Sequence, residues 1–166
     1  MSTRSVVENP QSSAIGRQCL CNGLRRAART VTRLYDGLLA PSGLRATQFS
    51  ILAALESASP VVLGKLAERL VTERTTLTRN LSLLEARGLV QAEAGKDQRQ
   101  RNITITRKGR EALNAALPYW EQAQAFMREQ LGQDRLVNLL QEFADIVDVA
   151  GKEADGGDAP PHRPRA

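Results

Sequence analysis

The sequence is poor in aromatic residues, in cysteine and above all in histidine. Aromatics make up 4% of its 166 residues, so aliphatic side chains must fill any core. There are two cysteines, Cys19 and Cys21, and one histidine, His162. Zinc sites draw mainly on Cys and His ligands, and a Cys-x-Cys with one distant histidine is too sparse for one. A lone histidine in the stretch GKEADGGDAPPHRPRA also argues against general-base work. There is no nucleophile–base pair, no Gly-rich phosphate loop, and no Cys-x-x-Cys beside a βαβ pattern. The expectation is a protein that is not an enzyme and uses no cofactor. No apolar run approaches the ~20 residues needed to span a bilayer. The opening MSTRSVVENPQSS lacks an apolar signal core, which predicts a cytoplasmic protein without a membrane partner.

What is present is positive charge in one place. The net charge is +5. Residues 61–110 hold 11 Lys/Arg against 5 Asp/Glu, while the rest of the chain holds 12 against 13. The whole excess therefore lies in one middle segment, and neutralising phosphates is the commonest use of such a concentration.

The order of elements follows from periodicity. Residues 1–13 are polar, contain Pro10 and show no period, so a disordered start is expected. A long helix over 14–39 carries Leu20, Leu24, Ala27, Val31, Leu34 and Leu38 as one stripe. Arg26, Arg29 and Arg33 lie opposite. The tetrapeptide APSG ends this helix. A second helix over 45–57 turns Phe49, Leu52 and Leu55 inward. A short helix then carries Leu63, Leu66, Ala67 and Leu70. After a turn at Val71-Thr72, the next helix buries Leu77, Leu81 and Leu84, with Thr72 expected as its N-cap. Gly88 stops it. Leu89-Val90 begins a hairpin whose return strand is the alternating ITIT of 103–106. A helix over about 108–130 turns Leu113, Leu117, Trp120 and Met127 inward and should bend at Pro118. Gly132 separates a last helix over 134–150. The Gly/Pro/Asp-rich 151–166 reads as a disordered tail.

Two short helices followed at once by a basic hairpin form a winged helix-turn-helix. The second helix fits the major groove. On it Thr75, Thr76 and Ser82 can hydrogen-bond bases or phosphates, and Arg79 can pair with guanine. Thr72 at the helix start and Lys96, Arg99 and Arg101 in the hairpin complete the expected DNA contacts. Arg99, at the hairpin tip, suits a narrow A·T-rich minor groove. β-Branched threonines at 75, 76 and 78 are poor helix formers, and an idle surface would favour Glu, Lys or Ala.

Over about residues 20–131 the chain resembles the MarR (multiple antibiotic resistance) type of winged-helix regulators. The stretches that carry the resemblance are LRATQFSILAAL, KLAERLVTERTTLTRNLSLLEARGLV and DQRQRNITITRKG. Asp97-x-Arg99 stands where that family has its wing Asp-x-Arg, which implies that Asp97 orients the wing while Arg99 enters the groove. The resemblance implies a homodimer with intertwined terminal helices. It further implies a pseudo-palindromic double-stranded DNA operator, repression, and release by a small effector. The expected fold is mainly α with a small two- or three-stranded β wing. It is divided into dimerisation helices at 14–43 and 108–150 and a DNA-binding lobe at 44–107. Dimerisation also follows from the long apolar stripes, which exceed what a compact winged-helix module covers.

Two ways of sensing stay open. Some members of the resembled family sense hydroperoxides through a thiol at the start of the first helix. Cys21 falls at that place and Tyr35 at one tyrosine partner, while Arg25 and Ala46 replace the other two. Cys19 and Cys21 point ~200° apart if both are helical, which disfavours a bond between them. The bland alternative for Cys21 is a small buried hydrophobe. The rival is a small organic effector, aromatic or carboxylate-like, in a pocket between the dimerisation helices and the DNA-binding lobe. Arg25, the helix-one arginine nearest the apolar face, is its candidate anchor. From other classes, a sequence-neutral DNA-packaging protein fits the charge, and a helical interaction module fits the stripes but not the wing.

Overall fold

A computed structural model describes residues 18–94 and 101–155. Lys96, Asp97 and Arg99 lie outside the described residues, as do residues 1–17 and 156–166. The elements are α1 (Leu20–Leu39), a 3-10 turn (Ala40–Ser42), α2 (Ala46–Ala58), β1 (Val61–Val62) and α3 (Leu63–Arg69). They continue with α4 (Arg74–Ala86), β2 (Val90–Ala94), β3 (Arg101–Ile105), α5 (Arg107–Leu131) and α6 (Gln133–Asp155). The chain forms two compact units, one through Ala123 and one from Gln124.

The first unit has an aliphatic core. Leu39, Leu52, Leu55, Leu66 and Leu84 are fully buried, joined by Leu77, Leu81, Leu89, Ile103, Ile105 and Leu113. Burying one Leu side chain contributes about 1.5–3 kcal/mol, which explains how so few aromatics suffice. Phe49 and Trp120 stack with ring centroids 6.1 Å apart at the edge of this core.

The sheet has three strands in the order β1-β3-β2, all antiparallel. Val61 pairs with Ile103, and Ala92 pairs with Ile103 from the other side. The two-residue β1 is too short for any alternation to announce it. It follows Pro60 directly and leads straight into α3.

Polar contacts fix the corners. Asp36 of α1 accepts a hydrogen bond from Ala46 N–H at 2.8 Å, so a carboxylate of one helix caps the next. Gly43 adopts a left-handed φ of 71°, which closes the 3-10 turn and frees its carbonyl to accept from Arg87 Nη1 at 2.9 Å. Arg110 Nε lies 2.9 Å from Glu56 Oε2, joining α5 to α2. Thr106 closes the strand-to-helix exit. Its hydroxyl lies 2.8 Å from the Gly88 carbonyl and 3.1 Å from that of Leu89, and it accepts from Gly109 N–H at 3.0 Å.

Three sequence expectations change. The N-cap of α4 is Glu73, not Thr72, because α3 runs out through a left-handed Val71 (φ 48°) and Thr72 N–H returns to the Ala67 carbonyl at 3.0 Å. Leu117 does not face inward: it is exposed, while Ala116 is fully buried in its place. The last helix continues past Ala150 to Asp155, since Lys152, Glu153 and Ala154 are compatible with helix and Gly151 does not end it.

The expected stripe of α1 is largely uncovered within its own unit. Leu20 is 63% exposed and Val31 38% exposed, and Leu39 is the helix's buried residue. In the second unit Val137, Leu140, Phe143 and Val147 are likewise exposed.

Candidate nucleic-acid interface and effector cavity

Helix α4 is positioned by Leu77, Leu81 and Leu84, whose 0, +4, +7 spacing seats one face on the core. With a step of about 100° per residue, the direction opposite these three is held by Thr75, Arg79, Ser82 and Ala86. Thr75, Arg79 and Ser82 are exposed. The side chains of Arg79 and Thr75 make no hydrogen bond or ion pair among the described residues. Ser82 donates its hydroxyl to the Thr78 carbonyl at 3.0 Å, so it faces outward as an acceptor. Thr78 similarly donates to the Arg74 carbonyl at 2.7 Å. These bonds let hydroxyl side chains sit in a helix with their donors satisfied.

Thr72 and Thr76 are not on that outward face. Thr76 lies roughly 100° round the helix from Leu77. Both threonines line a cavity of about 280 Å³ between α1, α2 and α4. Thr32, Thr47, Ser50 and Asn80 add further hydroxyl and amide groups to its wall, and Ile51, Leu70 and Leu77 make the apolar part.

The base of the wing is the β2–β3 ladder, with Ala94 opposite Arg101. Arg101 Nη2 lies 3.9 Å from Glu85 Oε1, so its guanidinium turns toward the end of α4.

Sequence reasoning missed two features on this surface. Arg74, the first residue of α4, lays its guanidinium over α3: a methyl group on Gly64 would stand 3.0 Å from Arg74 Nη2. Leu83 is exposed at 52% beside the outward face. A glycine in the first turn of a short helix was the one available signal for Arg74, since glycine there weakens the helix unless something lies close. The residues lining the cavity left no local signal, because its wall is assembled from three separated helices.

Cys19 and Cys21 are both free and exposed in the single chain. Cys19 is the N-cap of α1 with an extended backbone (φ −74°, ψ 112°), so the helical angle between the two thiols does not apply. Tyr35 is half-buried and packs against the lobe core. Arg25 is exposed and does not line the cavity. No group of three or more His, Cys, Asp or Glu that could hold a metal occurs among the described residues. No described helix is long and apolar enough to cross a membrane.

The MarR family model matches residues 42–100, which hold α2 to β2. The M. tuberculosis transcriptional regulator MosR, in a crystal structure with DNA, is 40% identical, with a TM-score of 0.71. The match covers 80% of this chain and 98% of that one. The transcriptional repressor CouR, bound to a 23-mer DNA duplex, is 28% identical with a TM-score of 0.72, over 80% of this chain and 95% of that one. The HTH-type transcriptional regulator YwoH of Bacillus subtilis (strain 168) is 29% identical over 89 residues, 54% of this chain and 65% of that protein. With a regulator 40% identical over nearly its whole length, and with the helix-turn-helix and three-stranded wing in place, the chain belongs to the MarR family of winged-helix transcriptional regulators.

Proposed function

We propose that this regulator is a homodimeric, sequence-specific DNA-binding repressor that a small organic effector releases from its operator. The observation that carries the reading is the outward face of α4. Thr75, Arg79 and Ser82 stand exposed opposite a fully seated core face, on the helix that a helix-turn-helix presents to the major groove. Arg79 reads a base, while Thr75 and Ser82 contact bases or phosphates. Lys96, Arg99 and Arg101 act from the wing, with Asp97 orienting it. Residues 44–107 are the DNA-binding lobe.

The uncovered stripe of α1 and the exposed apolar side chains of α6 support pairing with a second copy. A two-fold axis then sets two recognition helices about one DNA turn, ~34 Å, apart on a pseudo-palindrome. The cavity beside α4 supports the effector reading. Thr72, Thr76 and Asn80 form part of its wall, so a ligand there touches the recognition helix and the turn before it. Among proteins of this fold, CouR has been seen bound to p-coumaroyl-CoA, and BpsR is regulated by 6-hydroxynicotinic acid.

A second reading, oxidation of Cys21, is favoured by the exposure of both thiols. One titration separates the two. The reduced protein is titrated against DNA from immediately upstream of its own gene, beside random DNA at fixed salt, and again after stoichiometric organic hydroperoxide. Selective binding that survives peroxide supports the effector reading. Binding lost on oxidation and restored by thiol supports Cys21. Equal binding to all sequences counts against a local operator.

A further inference from the structure

Helix α4 has a different neighbour on each flank of its outward face. Thr78, Ser82 and Glu85 line a narrow cleft with Arg101, at the base of the wing. Thr76 and Asn80 line the cavity to which α1 contributes Thr32. At about 100° per residue these two sets lie on opposite sides of Arg79. A helix lying in the major groove has a phosphate backbone on either side of it. The wing serves one flank, and α1 stands on the other.

We propose that α1 is a third DNA-contacting element, and that Arg26, Arg29 and Arg33 bind the phosphate backbone on the flank away from the wing. The proposal rests on the DNA-binding reading above and adds a surface outside the helix-turn-helix and the wing. All three side chains are exposed and line one open groove of about 770 Å³ along α1. Thr32 lines that groove as well as the cavity beside α4, so the arginines adjoin the flank of the recognition helix. The spacing i, i+3, i+7 sets them on one face, over ~10.5 Å of helix axis. One DNA strand places a phosphate every ~3.4 Å along the duplex axis, so the row can meet up to about three.

The row is uncompensated within the chain. The one acidic residue of α1 is Asp36, which accepts from Ala46 N–H and lies 4.0 Å from Arg45. No ion pair holds Arg26, Arg29 or Arg33 among the described residues. Arg26 with Arg29, and Arg29 with Arg33, are like-charge pairs at helix-neighbour spacing, which weakens the free helix. A polyanion reverses that repulsion. Guanidinium groups match phosphate oxygens in a two-point geometry. Because α1 lies beside α4 and not across its outward face, the row meets backbone and not base edges. It therefore adds affinity without sequence preference. The chain-wide charge count conceals the row, because acidic residues elsewhere cancel it.

The test is DNA binding by the full chain as a function of salt. It uses duplexes selected from a random pool by the unaltered protein, beside random duplex of equal length. Replacing Arg26, Arg29 and Arg33 together by Gln should flatten the logarithmic salt slope by about 2–3 and weaken both duplexes about tenfold or more at low salt. The ranking of single-base variants of the selected duplex should stay the same. Lys at the three positions should restore most of the slope, since the charge returns. Replacing Arg128, Arg135 and Lys152 by Gln removes the same charge from exposed positions of the second unit. That control should change the slope by less than about 1. An unchanged slope in the first triple variant, an equal loss in the control, or a changed base ranking would each overturn the proposal. Sedimentation of the first variant as a smaller species than the unaltered protein would assign the row to subunit pairing and also overturn it. Unaltered protein that prefers the selected duplex, with an unchanged triple variant, sinks the arginine row alone. Equal binding of both duplexes, with the slope still lost in the variant, keeps the row and sinks sequence-specific reading. Failure of the unaltered protein to bind either duplex overturns both.

Discussion

Arg101 Nη2 stands 3.9 Å from Glu85 Oε1, so one ion pair joins the base of the wing to the last turns of the recognition helix. Both side chains are about half exposed, and such a pair contributes at most ~1 kcal/mol. Its importance is for DNA. If Arg101 reaches a phosphate, Arg101→Gln should lower the salt slope of binding by about 1 while barely changing the urea midpoint. Glu85→Gln should strengthen DNA binding, because it frees the arginine and removes a negative charge near the backbone. Weaker binding by the Glu85 variant would show that the pair, not the free arginine, orients the wing.

Arg79 stands on the outward face of α4 without a partner among the described residues. Arg79→Ala should relax base preference at one position per half-site by ~1–3 kcal/mol. Binding to a set of single-base operator variants reads this directly. A uniform loss over all variants would move Arg79 from base reading to phosphate contact.

Gly64 and Arg74 form a second testable pair. Gly64 leaves room for the Arg74 guanidinium to lie across the first turn of α3. Gly64→Ala should displace that guanidinium at little cost in stability, since a flexible side chain can move. If the guanidinium's place serves DNA binding, Gly64→Ala and Arg74→Ala should lower affinity alike, and the double variant should be no weaker than Arg74→Ala. Additive losses would mean that the two act separately.

Gly109 tests the fold instead of the interface. A methyl group on it would run into the Leu89 carbonyl and the Ile105 side chain, because the first turn of α5 presses on the end of the β2–β3 ladder. Gly109→Ala should destabilise the protein by about 1–3 kcal/mol, read as a lower denaturant midpoint. An unchanged midpoint would mean that α5 can shift away freely.

The helices were legible because each writes its own period. Leu77, Leu81 and Leu84 announce the buried face of α4, and the exposed Thr75, Arg79 and Ser82 follow from it. The ITIT alternation announces β3. The rest needed three dimensions. β1 is two residues long and exists through pairing with β3, which no local pattern records. The division of the threonines, with Thr75 outward and Thr76 on a cavity wall, depends on where α1 and α2 pack. The two cysteines are free, as expected, but not for the helical-angle reason, because the N-cap Cys19 is not helical and the first helix was read as continuous across it. Leu117 was assigned inward from spacing alone, whereas Ala116 is the buried residue.

The most direct test of the central claim is selection of bound duplexes from a random pool by the purified, reduced protein at fixed salt, run beside Arg79→Ala. The account predicts enrichment of a two-fold pseudo-palindrome with half-site centres about 10 base pairs apart, and loss of preference at one position per half-site in the variant. Retention of random sequence by both proteins, with affinity set by salt alone, would contradict sequence-specific reading by α4.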